Sequence, residues 1–330
     1  MKTIVRLAAS TGLAVVVASC GGSNGQSGTV GVISATPTPT PTATPTPTPT
    51  ATATPTPTPA PTPTPTAAAI DYSVNPCDYT RNQSYTLTGG VILATGPATG
   101  SAPFTAASSS VIASQSRAQV SFTASGSVAT FLVDGTTVGS GDASTRETPV
   151  PNNVSYTTGN RGFGFGCEPI MGTVQRYAVT VLQTVNIDPS LASGNDAEAR
   201  VFVGGLRTGD TTAVASRSYA TTSFGIGYLV GTSTKRQSGA GTASTLTYSA
   251  AANTISGTVT IAASNGQPAV TLTLNGSRVV GSSLVTGTAT STGGTGLITG
   301  GFFGPAGDEL ALVATLDRGS DRFVIYVYGR

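Results

Sequence analysis

From residue 218 to the C-terminus, apolar and polar residues alternate in short blocks, each bounded by Gly, Asn, Asp or Ser. Ile255, Gly257, Val259 and Ile261 fall on one side of an extended chain, and Thr254, Ser256, Thr258 and Thr260 on the other. That is the period of a strand with one dry and one wet face. Val270, Leu272 and Leu274 repeat it, as do Leu310, Leu312, Ala314 and Leu316. Eight blocks of this kind occupy 218–230, 241–249, 254–262, 269–275, 282–290, 295–304, 309–316 and 321–329. Short loops and no crossover helices predict an eight-stranded up-and-down β-barrel, the economical way to remove sheet edges. The second face is mostly Thr, Ser and Gly, without the apolar band and aromatic girdles of a lipid-spanning barrel, so a soluble barrel is expected.

Upstream, 84–93, 117–124, 128–133 and 177–187 read as strands of a second, less regular β-rich unit. The stretch 201–216, with Gly204, Gly205 and Gly209 and no clear period, is expected to be the joint. The expected organisation is a leader at 1–20, a linker at 21–69, a β-rich unit at 70–205 and the barrel at 206–330.

The leader has two cations, Lys2 and Arg6, an apolar stretch from Leu7 to Val17, then small residues ending in Val17-Ala18-Ser19-Cys20. The layout is that of a signal peptide, and its apolar run is shorter than the ~20 residues a spanning helix needs. The last four residues match the lipobox of bacterial lipoproteins, which makes the Cys20 thiol the acylation point. Two or more acyl chains anchor stably, at ~0.8 kcal/mol per buried methylene. Gly21 follows Cys20 in place of an inner-membrane-retaining Asp, so the outer membrane and the cell surface are the expected location. Residues 36–66 are almost pure Thr-Pro alternation, a composition that favours polyproline II and could reach roughly 90 Å.

Charge and cysteine content then narrow the chemistry. Removing Lys2 and Arg6 with the leader cancels the formal charge of +2. A neutral chain has no field to gather phosphates, so nucleic acid is not an expected partner. Lys235-Arg236, the one adjacent basic pair, reads as a solvated hairpin tip. Outside the cytoplasm Cys77 and Cys167 form an even pair, and a disulfide is expected. The chain has no histidine, which removes Ser-His-Asp and Cys-His mechanisms and the commonest zinc ligand. There is no phosphate loop and no dinucleotide fingerprint. Asp308-Glu309 and Asp196/Glu198 are the acidic pairs available for glycoside cleavage, and Asp308-Glu309 is a poor candidate because adjacent residues on a strand face opposite ways. No enzymatic activity, metal or cofactor is expected.

Two segments stand out as site candidates. In Asn160-Arg161-Gly162-Phe163-Gly164-Phe165-Gly166-Cys167, Arg161, Phe163 and Phe165 could be displayed on a flexible tip for partner capture. The other reading is a strand whose two rings lie in the core beside a disulfide at Cys167. In Gly300-Gly301-Phe302-Phe303-Gly304-Pro305-Ala306-Gly307-Asp308-Glu309-Leu310, Gly304-Pro305 ends a strand, and Phe302 and Phe303 face opposite ways. One ring should plug the barrel and the other seal against a neighbouring domain, a structural motif built on Gly301, Phe302, Phe303, Gly304, Pro305 and Glu309.

That second segment resembles the Gly-x-Phe-aromatic-Gly-Pro...Glu turn of the transferrin-binding-protein-like β-barrel lipoproteins. The resemblance covers roughly 201–330, and the lipobox and the terminal Tyr328-Gly329 agree with it. It departs at Leu310-Ala311, where the family often has paired glycines, and no transferrin-contacting loop can be matched. What it implies is a handle-like β region before the barrel and a partner that is a host or environmental protein, or an iron or haem carrier. A structural or adhesive surface protein without a small-molecule ligand is the alternative.

Overall fold

The computed structural model describes residues 69–146, 153–167, 175–186 and 196–330. Cys20, the leader and nearly all of the Thr-Pro linker lie outside the described residues.

The described chain is all-β apart from one turn of 3-10 helix, and it forms two nine-stranded antiparallel sheets. The first contains β1 (Gln83–Thr95), β2 (Ala106–Ile112), β3 (Ala118–Thr123), β4 (Val128–Val133), β5 (Thr136–Gly141), β6 (Asn153–Thr158), β7 (Arg161–Gly166), β8 (Ala178–Val185) and β9 (Asp196–Gly205). Its order is β5-β4-β3-β1-β9-β8-β7-β6, with β2 beside the second half of β1. The sheet curls until its edges approach each other. Arg146 bridges Tyr156, and Thr157 N–H donates to Thr145 O at 3.1 Å.

The second sheet contains β10 (Arg217–Tyr228), β11 (Arg236–Ala240), β12 (Ser244–Ser249), β13 (Thr254–Ile261), β14 (Val270–Arg278), β15 (Leu284–Ser291), β16 (Gly294–Phe303), β17 (Glu309–Arg318) and β18 (Asp321–Gly329). Consecutive strands pair, and β10 closes onto β18 from Thr221↔Gly329 to Tyr228↔Arg322. β11 and β12 both lie on the opposite side of β10, one against each half of it. They share one position around the ring, so the closed barrel has eight positions, as the alternation predicts. The half supplied by β11 has no apolar rhythm (Arg-Gln-Ser-Gly-Ala), and periodicity could not reveal it.

Three apolar clusters follow from the alternation. Leu246, Ile255, Val259, Leu272, Leu312, Leu316 and Ile325 fill the barrel. Phe122, Phe131, Tyr156, Phe163, Phe165 and Phe202 fill the first unit. The third cluster joins Ile92, Val201 and Val203 of the first sheet, and Phe104 of the β1–β2 connection, to Phe303, Val313, Val324, Tyr326 and Tyr328 of the second. β17 is buried without interruption from Glu309 to Leu316 because Leu310, Leu312 and Ala314 face the barrel while Ala311 and Val313 face the first sheet.

Two expectations are corrected. The stretch 201–216 is not all joint: β9 continues to Gly205 and is a central strand buried on both faces at Val201, Phe202 and Val203, which hides its period. Lys235 is not a solvated tip. It is buried, its ammonium donates to Pro97 O and to Thr99 O (2.9 Å), and it stands 5.6 Å from the Phe104 ring centre. A loop of the first unit brings two carbonyls and an aromatic face to it, a partner that sequence neighbours do not announce.

Candidate functional site

The segment from Gly300 to Glu309 sits where the two sheets meet. Phe302 enters the barrel core against Tyr248, with ring centres 4.9 Å apart, and Phe303 enters the cluster between the sheets. Gly304 has φ +85°, and a Cβ there would press into the Tyr177 ring, so turn and close approach both demand glycine. The chain leaving β9 is zipped onto this turn: Thr208 N–H donates to Phe302 O, Gly304 N–H to Leu206 O, and Thr208 Oγ1 to Gly304 O at 2.7 Å.

Glu309 is 1% exposed, and its carboxylate is fully occupied. Oε1 accepts from Arg176 N–H (2.6 Å) and from the Tyr328 hydroxyl (2.8 Å), and Oε2 accepts from Tyr177 N–H and Ala178 N–H, both at 2.9 Å. Three successive backbone N–H groups leading into β8 form a nest around an anion carried by the barrel. Burying a carboxylate is costly unless its lone pairs are used, and here all are. Such a group is a staple between sheets and has no free oxygen for acid–base work. Asp308 pairs with Arg217 at 3.4 Å, and Glu198 pairs with Arg200.

Arg207 lies beside the same turn, 8% exposed, with its guanidinium 5.1 Å from the Phe303 ring centre. Its Nε and Nη2 have no partner among the described residues, and burial lowers its pKa to about 10. Tyr72 donates its hydroxyl to Arg207 O at 2.8 Å. Neither Arg207 nor Tyr72 sits in a periodic or motif-like setting, so sequence reasoning had no signal for them.

Cys77 and Cys167 are joined, with Cα atoms 5.9 Å apart, and tie the chain ahead of β1 to the end of β7. This corrects the displayed-tip reading of the neighbouring aromatics. Phe163 (5% exposed) and Phe165 (1%) are core residues. Phe163 stacks on Phe131 and Tyr156, and Phe165 meets Tyr79 edge-on. Arg161 shares their face of β7 but lies at its end, where the face leaves the core. There it lines two adjoining cavities of about 220 and 350 Å³ in the first unit, together with Thr137, Val138 and Gln183. Among the described residues no cluster of three or more His, Cys, Asp or Glu could hold a metal, and no helix is long and apolar enough to cross a membrane.

No protein-family model matches the chain, and no curated protein does. Solved structures do. The isotype 1 transferrin-binding protein B of serogroup B Neisseria meningitidis is 13% identical with a TM-score of 0.40, over 74% of this chain and 43% of that one. This chain therefore spans less than half of the meningococcal structure. A surface lipoprotein is 12% identical with a TM-score of 0.36, over 73% of this chain and 98% of that one. The N-lobe domain of lactoferrin-binding protein B of Moraxella bovis is 12% identical with a TM-score of 0.29, over 46% and 75%.

Proposed function

We propose that this chain is an outer-membrane lipoprotein, anchored through Cys20, that presents its two-sheet body at the cell surface to bind a protein partner such as an iron or haem carrier. The observation that carries the anchoring is Val17-Ala18-Ser19-Cys20 behind a charged and apolar leader, followed by a Thr-Pro spacer long enough to hold a domain clear of the headgroups. Binding rather than catalysis is supported by the absence of histidine from the sequence and by the saturation of Glu309. The ligand class comes with the resemblance of the Gly300–Leu310 turn, and the names of the similar structures, transferrin-binding and lactoferrin-binding, point the same way. A body stapled at Glu309 and clasped at Lys235 suits a rigid recognition surface, because a preorganised partner loses less entropy on binding.

Two measurements test this reading. Cys20→Ser should move the protein out of the membrane fraction without changing its melting temperature, and a variant still in outer membranes after a salt wash refutes the anchor. Immobilised wild-type protein should retain transferrin, lactoferrin or a haem carrier from a defined mixture. Retention of polysaccharide alone would favour the adhesive alternative.

A further inference from the structure

The two ends of the barrel carry different loops. At one end the β17–β18 turn is charged, with Arg318 paired to Asp321 and Arg322 to Asp317. At the other end, where the chain enters β10 and leaves β18, the β12–β13, β14–β15 and β16–β17 turns expose Ala250, Ala251, Val279, Val280, Pro305 and Ala306. Val280 is 92% exposed, and no other large apolar side chain among the described residues is as open. Exposed apolar residues gathered at one place mark an interaction surface.

The tips are tied to one another. Asn253 Nδ2 of the first turn donates to Arg278 O of the second at 2.7 Å, and the Arg278 guanidinium donates to Thr212 O (2.8 Å) and Asp210 O (3.0 Å) in the segment leading into β10. Ala250 N–H donates to Ser216 Oγ of that segment at 2.8 Å, and Arg217 Nη1 to Gly307 O of the third turn at 3.1 Å. The apolar tips therefore form one platform, and Arg278 spends its donors on the carbonyls beneath it.

What the platform faces follows from the chain that leads to it. Tyr72 is fixed to Arg207 O in the same entering segment, and Ile70, 41% exposed, precedes it by two residues. The stretch running back to Cys20 therefore departs from the apolar end. Beside Tyr72 an open groove of about 340 Å³ is lined by Arg176 and Arg330, both exposed and neither in an ion pair among the described residues. The acids of this end are engaged: Asp308 pairs with Arg217, Asp210 accepts from Ser283 N–H (3.0 Å), and Asp71 accepts from Ser73 Oγ (2.6 Å).

Apolar tips, a tyrosine and two free guanidinium groups on one end are the parts of a membrane-interface contact. We propose that the apolar end of the barrel seats on the lipid bilayer, with Val279, Val280 and Ile70 entering the boundary between headgroups and acyl chains and Arg176 and Arg330 on lipid phosphates. The seat rests on the anchor reading for its purpose and not for its chemistry. Held by Cys20, the body meets lipid at a high effective concentration, so a weak and reversible contact suffices. The Thr-Pro spacer sets how far the body ranges when it lifts off, and in the seated state the charged end points away from the membrane.

The probes are vesicles of phosphatidylethanolamine with phosphatidylglycerol, and of phosphatidylcholine alone as the uncharged control. The chain from residue 20 onward carrying Cys20→Ser, with neither leader nor acyl groups, should cosediment with the anionic vesicles at half-binding on the order of 1 mM lipid. Val280→Asp should weaken binding to both vesicles at least about tenfold, and Arg176→Gln with Arg330→Gln should weaken it about tenfold on the anionic vesicles alone. Thr271→Asp, at the opposite end of β14, adds the same charge and should bind like the wild type. All four positions are exposed, so the melting temperature should not change. The sequence has no tryptophan, so Val280→Trp gives the acylated chain a single indole, which brominated lipids should quench. No cosedimentation at about 10 mM lipid, equal binding by Val280→Asp, or an unquenched indole in an anchored chain overturns the seat and leaves the anchor standing. Vesicle binding by the unacylated chain, with the native protein missing from the membrane fraction, does the reverse.

Discussion

The hydroxyl of Tyr328 and three backbone N–H groups of the other sheet converge on one carboxylate, that of Glu309, so that a hydrogen bond of 2.8 Å within the barrel is part of the seam between the sheets. Glu309→Ala leaves three buried donors and one part-buried donor without an acceptor and should cost on the order of 3–5 kcal/mol in urea unfolding. Glu309→Gln keeps one oxygen and should recover part of this. A loss below about 1 kcal/mol for the alanine variant would mean that water replaces the carboxylate and that the seam is held by apolar packing alone.

Reducing Cys77–Cys167 opens a loop of 90 residues. In the chain-entropy model this removes about 4–5 kcal/mol. The melting temperature should fall, and amide exchange should accelerate in β3 to β8 before it does so in β13 to β15, which carry no cross-link. Uniform acceleration across both sheets would show that they open as one unit.

Phe302 and Phe303 are neighbours in different cores, so their truncations should differ in kind. Each change to alanine should cost about 3–5 kcal/mol. Phe302→Ala should loosen β10, β12 and β16, whereas Phe303→Ala should raise exchange along β1, β9, β17 and β18, where the sheets touch. Exchange maps that coincide would contradict the division into separate clusters.

Base should unfold the protein cooperatively. Burial pushes the phenols of Tyr85 and Tyr156 up to about 12, and those of Tyr79, Tyr219, Tyr228, Tyr326 and Tyr328 higher still. The folded chain keeps these protons above pH 10, where an unfolded chain sheds them. Their contribution is therefore whole below pH 10 and is lost as pH climbs from 10 through 12. Arg207, lowered to about 10, acts with the opposite sign, but it is one group against seven. Absorbance at the phenolate band should rise together with loss of β-sheet circular dichroism. Phenolate appearing well before unfolding would mean that these hydroxyls reach solvent in the native state.

What could be read from the sequence follows from how many neighbours decide each residue. β13 and β14 are half-buried, and their Ile, Val and Leu alternate with Thr, so the barrel was legible strand by strand. β2 (Ala-Ala-Ser-Ser-Ser-Val-Ile) and β5 (Thr-Thr-Val-Gly-Ser-Gly) have no apolar alternation and are strands because β1 and β4 supply hydrogen-bond partners. For Phe302 and Phe303 the local pattern suffices to send two rings to two faces. At β7 the same rule put Arg161, Phe163 and Phe165 on one face but could not say whether that face was inside. The decision came from Phe131 and Tyr156, which meet Phe163 from other strands. Lys235 and Arg207 escaped altogether, since their partners are remote in sequence, a loop of the first unit for Lys235 and the Phe303 ring for Arg207.

β17 is a party wall. Its odd and even residues belong to different rooms, and a wall of this kind has a phase but no slack. A single residue inserted between Glu309 and Leu316 would push Leu312 and Ala314 toward the first sheet and Val313 into the barrel, spoiling both interiors at once. Two inserted residues would restore the parity but slide Glu309 by a full repeat from the three amides that hold it. Length variation in such a protein is therefore confined to loops such as Val279-Val280-Gly281, where Val280 is 92% exposed and the count of residues is free to drift.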